Sequence, residues 1–173
     1  MSCGEIIACT KLSHLLDSVG IPSVPLTGFQ AGILTNREFN SAKILDIDTS
    51  TITKLLDDNL VVVVAGFQGI TSENDITTLG RGGSDNTAVT LAGFLGAERV
   101  DIFTDVPGVA FEDPKLVADT EYIDSISYED MYKLALDGAK VVQPEAVLIA
   151  SKLNIPIRVT CTKANIRGTL IAD

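Results

Sequence analysis

Six consecutive residues, Leu60-Val61-Val62-Val63-Val64-Ala65, restrict the fold of this chain more than any other stretch. An unbroken, largely β-branched apolar run has no polar face. It therefore suits a central parallel strand covered on both sides rather than a half-solvated antiparallel one. Further strands are expected around Val24–Leu26, Arg99–Phe103, Pro156–Val159 and Gly168–Ile171, alternating with helices over Ser2–Val19, Ser50–Asp58, Asp85–Leu95 and Ser127–Asp137. Strands and helices in alternation with short connections predict a three-layer α/β sandwich, a mainly parallel sheet between helices. A length of 173 residues suits a single domain spanning 1–173.

Charge removes some classes of function. Thirteen basic against 23 acidic side chains leave a formal net charge of -10, which argues against nucleic acid or an anionic membrane as partner. Any anionic substrate must then be held by local features against an unfavourable mean field. No apolar run reaches the length of a membrane span and the N-terminus has no signal-peptide pattern, so the expected location is the cytoplasm. The three cysteines, Cys3, Cys9 and Cys161, have no metal-type spacing and read as small buried hydrophobes. No metal-ligating residue set is expected. The hydrophobic fraction of 46% is high for a chain with no Trp. It suits buried parallel strands and surface that meets another chain, in a homo-oligomer or with a complementing chain.

Thr78-Leu79-Gly80-Arg81-Gly82-Gly83-Ser84-Asp85-Asn86-Thr87 is the stretch that carries chemistry. Glycines permit a tight turn and close approach of the backbone, and Ser84 and Asp85 stand where a helix begins. That helix, Asp85–Leu95, is apolar at almost every position from Ala88 onward, so it is expected to be buried with its N-terminus facing a site. A helix N-terminus and glycine amides favour anions, and the planar fork of Arg81 matches a carboxylate or phosphate bidentately. Asp85, close to Arg81, is placed to accept from an ammonium group. The pair would grip an amino acid by both of its charges, with Ser84 and the Gly82 and Gly83 amides completing the pocket.

The company of this stretch gives it a family. Val61 to Gly69 precede it, Thr104-Asp105-Val106-Pro107-Gly108-Val109 and Asp113-Pro114 follow it, and Ser127 to Met131 and Gly138 to Pro144 come later. Blocks of this kind in this order resemble the catalytic domain of the aspartokinases, within the amino acid kinase family, from Ser2 to Ile171. The resemblance implies phosphorylation of the β-carboxylate of L-aspartate to 4-phospho-L-aspartate, with ATP and Mg2+, at the head of lysine, threonine and methionine synthesis. It implies that Arg81, Gly82, Gly83, Ser84 and Asp85 bind aspartate, and that Ser2-Cys3-Gly4-Glu5 supplies Glu5 to the substrate amino group. Read from the residues alone, Glu5 is a carboxylate suited to the first turn of a helix. Thr104, Asp105 and Gly108 are implied as nucleotide-binding. Lys140, by itself a solvated lysine, is implied beside the phosphates, with Arg81, Asp85 and Lys140 as the catalytic set.

Departures from the family pattern occur at Ala110, commonly Tyr, at Lys115, commonly Arg, and at Gln143, usually His. Phe111 is a neighbouring aromatic that would compensate for Ala110 in part. Aspartokinases begin with a strand and a Lys-Phe-Gly-Gly-type loop and end in regulatory ACT domains. The expectation from the sequence is a partial, N-terminally truncated kinase domain without either. A non-catalytic remnant or binding subunit, retaining aspartate or nucleotide recognition, is the alternative from a different class.

Overall fold

A computed structural model describes residues 2–112, 117, 120–139, 141–162 and 168–173. Two compact units are present, residues 1–87 and 88–173. In the first, α1 (Ser2–Ser18) leads into β1 (Ser23–Leu26), β2 (Ile33–Thr35), β3 (Ile44–Ile47), α2 (Ser50–Asp57), β4 (Val61–Val64), β5 (Gln68–Ile70) and β6 (Ile76–Thr78). β1 and β4 form a parallel pair with Ser23 opposite Val61 and Leu26 opposite Val64. The other four strands make a sheet in the order β3-β2-β5-β6. In it β2 runs parallel to β5 and antiparallel to β3, and β5 and β6 form an antiparallel hairpin.

The valine run is a parallel strand, as its composition dictates, but it is less covered than a central strand would be. Val61 is 41% exposed and Val62, Val63 and Val64 are half-buried. The reason is that β1 is the one ladder neighbour of β4 among the described residues.

Helix α1 packs on β1 and β4, though not through the apolar stripe that its sequence offers. Its buried residues are Cys9 and Ser13, one turn apart. The Cys9 thiol donates to the Val63 carbonyl at 2.9 Å, and the Ser13 and Ser23 hydroxyls share a 2.7 Å hydrogen bond. Ile7, Leu12, Leu15 and Val19 stay exposed. Burial pushes the Cys9 thiol above its ordinary range, against the lowering effect of its bond to Leu26, so it is a poor nucleophile. Cys161 is also buried, whereas Cys3 is exposed and departs from the expectation. At α2, Asp48 rather than Thr49 supplies the side-chain acceptor, Oδ1 taking the Ser50 amide at 3.0 Å.

α3 (Gly83–Leu95) crosses the division between the units. It starts two residues earlier than its sequence predicts, so Ser84 and Asp85 lie in its first turn. The second unit continues with β7 (Val100–Thr104), β8 (Ser125–Ile126), α4 (Tyr128–Leu136), α5 (Pro144–Leu153), β9 (Ile157–Cys161) and β10 (Thr169–Ile171). Its sheet has the order β7-β9-β10-β8, parallel at both outer pairs and antiparallel between β9 and β10. Val89, Met131, Val147, Ile157, Val159 and Ile171 are among the side chains of one buried core. Ser127 caps α4, its hydroxyl accepting from the Asp130 amide at 3.1 Å. Pro144 opens α5, where its missing N–H costs nothing.

The α/β class and the prevalence of parallel pairing, in four of the seven described strand pairs, agree with the sequence. These pairs fall into three hydrogen-bonded sheets.

Candidate functional site

The loop that carries Arg81 is held by backbone geometry that the glycines make possible. Gly82 has a φ of 77°, which side-chain-bearing residues seldom adopt, and its carbonyl accepts from the Asn86 amide at 3.1 Å, opening α3. Gly83 has no room for a side chain: a Cβ there would lie 2.6 Å from Leu79 Cβ and 2.8 Å from Phe67 Cδ2. Arg81 and Ser84 are exposed and Asp85 is half-buried. A guanidinium and a carboxylate on one short, braced loop at a helix start can engage a zwitterion from its two charged ends.

A second anchor lies at Phe67-Gln68, within the Val61 to Gly69 block. The Phe67 amide donates to Thr87 Oγ1 at 3.1 Å, and that hydroxyl in turn donates to the Gly83 carbonyl at 2.7 Å. The Phe67 carbonyl accepts from the Leu79 amide at 3.0 Å, although Phe67 sits at a φ of 66°. Next to it, Gln68 Nε2 donates to the Ser2 carbonyl at 3.1 Å. The start of α3 and the start of α1 are thus each hydrogen-bonded to the same dipeptide. Glu5, half-buried, stands in the first turn of α1. The Thr27–Gly32 loop is organised by Gln30. Its Oε1 accepts from the Thr27 amide at 3.0 Å and the Thr27 hydroxyl at 2.9 Å.

In the second unit, Thr104 ends β7 and its hydroxyl donates to Asp105 Oδ1 at 3.1 Å. The loop that follows is fixed by Thr169, a fully buried residue of β10. Thr169 Oγ1 accepts from the Val109 amide at 2.8 Å and donates to the Ile123 carbonyl at 2.6 Å. It also lies 2.6 Å from where a Cβ on Gly108 would be. Ala110 pairs with Tyr122 in an antiparallel bridge, so an aromatic ring stands opposite the position where the family pattern has one. Phe111 is 68% exposed. Gln143 occupies the N-cap position of α5 without a side-chain cap bond. Lys140 and Lys115 lie outside the described residues. Among the described residues, no group of three or more His, Cys, Asp or Glu side chains is placed to hold a metal ion. No helix among them is long and apolar enough to cross a membrane.

The family model for the amino acid kinase family matches residues 1–161. The chain belongs to that family. Among its members, an aspartokinase of Geobacillus stearothermophilus is 46% identical over 173 residues, covering 100% of this chain and 42% of that protein. Aspartokinase 1 of Bacillus subtilis is 43% identical, covering 100% and 43%. The structure of E. coli aspartokinase III in complex with aspartate and ADP superposes with a TM-score of 0.87 at 32% identity, covering 98% of this chain and 39% of that one. This member of the amino acid kinase family therefore spans a little over two-fifths of the length of the curated aspartokinases it matches. The fold is shared more widely: a UMP kinase of Bacillus anthracis superposes with a TM-score of 0.70 at 20% identity.

Proposed function

We propose that the protein is an aspartate kinase, moving the γ-phosphoryl group of ATP to the β-carboxylate of L-aspartate and releasing ADP. The observation that carries this reading is the Leu79–Asp85 loop. Its backbone is fixed at Gly82, Gly83 and Thr87, and it presents Arg81 and Asp85 together at the start of α3. Support comes from the aspartokinase relatives and from the aspartate and ADP bound by the E. coli enzyme.

In this reading Arg81 clamps a substrate carboxylate, and Asp85 and Glu5 accept from the α-ammonium group. Ser84 and the Gly82 amide close the pocket, and Gly83 shapes it by its lack of a side chain, its own amide being given to the Gly80 carbonyl at 3.0 Å. On the nucleotide side Thr104, Asp105 and the Gly108 loop hold ATP, and Lys140 neutralises phosphate charge. Asp105 offers a carboxylate to ribose hydroxyls, and the loop amides offer donors, a set suited to a nucleotide. ATP supplies the phosphoryl group. Mg2+, where bound, would be held chiefly through the ATP phosphates, as suits a cation that binds few protein ligands, and would neutralise their charge. The protein's part is positioning and charge stabilisation, since phosphoryl transfer asks little covalent chemistry of side chains. A homo-oligomer in the cytoplasm, feeding lysine and threonine synthesis, completes the reading.

The test is ATP-dependent aspartyl hydroxamate formation by the protein at its native length. Turnover with L-aspartate that exceeds turnover with L-glutamate by orders of magnitude is expected. Aspartate binding without any turnover would instead support a binding subunit.

A further inference from the structure

We propose that Gln68 is a positioning residue of the aspartate pocket, acting through the first turn of α1. This rests on the aspartate-kinase reading and concerns residues within the first unit only. Gln68 is 1% exposed. Its Nε2 donates to the carbonyl of Ser2, the first residue of α1, while its Oε1 is buried and accepts from no described residue. Packing alone does not account for that choice. A Met fills similar volume without an undonated carbonyl, and a buried amide with one end unpaired is a net cost to folding. What the amide adds is direction. One hydrogen bond joins β5 to the opening residue of α1, and Glu5 follows one turn later on the same helix.

The backbone around Gln68 makes that bond informative about geometry. Gln68 pairs with Thr78 across the hairpin, and the preceding residue receives the Leu79 amide, two residues before Arg81. Gly28 lies against the Gln68 carbonyl and Cγ so closely that no side chain fits between them. Gln68 therefore has no freedom to slide, and the position of the α1 end is referred to the segment that carries the Arg81 loop. Loss of the bond lets the Glu5 turn shift while β5 stays in place.

The experiment titrates L-aspartate calorimetrically into wild type and Gln68→Met, and follows amide hydrogen exchange in both. Gln68→Leu, which removes the same donor with a different apolar shape, runs alongside in case the Met variant does not fold. The expected result is a loss of affinity of about tenfold, the size of one well-made hydrogen bond, with faster exchange confined to the first turn of α1. Unchanged affinity overturns the proposal. So does lost affinity with exchange raised throughout residues 1–87, which is the signature of a merely structural glutamine. Wild type that binds no aspartate overturns the aspartate-kinase reading itself, and this inference with it.

Discussion

Thr169 and Gly83 show how single residues set the two candidate binding loops. Thr169 is wholly buried and its hydroxyl serves the Val109 amide and the Ile123 carbonyl. Thr169→Val keeps the shape and strands both groups, so urea unfolding should show a loss of about 1–3 kcal/mol. Thr169→Ser should recover most of it, and ADP affinity should follow the same order because Gly108 rests on that hydroxyl. A Val variant as stable as wild type would show that water replaces the hydroxyl. At Gly83 an added methyl meets Leu79 and Phe67. Gly83→Ala should therefore cost about 1–3 kcal/mol of overpacking and weaken aspartate binding. Unfolding and calorimetry together check it, and an unchanged protein would mean that the Phe67 ring yields. Arg81, Ser84 and Asp85 are candidates from the sequence because their chemistry is written in residue type and local spacing. Thr169 is not, since its two partners lie 60 and 46 residues away.

Among the elements, those whose signals are local matched the sequence best. Ser127 and Asp130 fix the start of α4 within four residues, whereas α3 starts at Gly83, two residues ahead of its expected start at Asp85. The apolar residues of α1 do not form its buried face, because helical periodicity of apolar residues reports amphipathicity and not the identity of the partner. Here the partner strands offer backbone carbonyls and the Ser23 hydroxyl, and Cys9 and Ser13 meet them. Between β7 and β9 the register places Asp101 opposite Arg158. Burial works against ionisation of Asp101, but bonds from Arg99 and Arg158 outweigh it and hold the carboxyl below its ordinary value. A carboxylate with a lowered folded pKa adds stability above its unfolded value and loses it as pH falls toward the folded one. Asp101→Asn should thus cost about 1 kcal/mol at pH 7, allowing for solvent screening. The difference from wild type should shrink below the ordinary carboxylate value of 3.8. Thermal melts across pH measure it, and a difference independent of pH would assign the loss to packing.

For the molecule as a whole, alternation of strands and helices was enough to give the α/β class, and the order of short blocks was enough to give the family that residues 1–161 match. The division of strands among three sheets was not legible. Pairing partners far apart in sequence leave no mark on local composition, and β2 meets β5 at a single register position, Leu34 with Ile70. The same limit applies to the anchor at Phe67-Gln68, where the starts of α1 and α3 are tied by contacts 66 and 20 residues apart. In the proposed function the first unit recognises L-aspartate through the Arg81 loop. Calorimetric titration of L-aspartate into wild type and Arg81→Ala tests it most directly. Wild type should bind measurably and the variant should lose about 1.5–3 kcal/mol, the scale of a charge-assisted hydrogen bond. Equal affinities in the two proteins would contradict it.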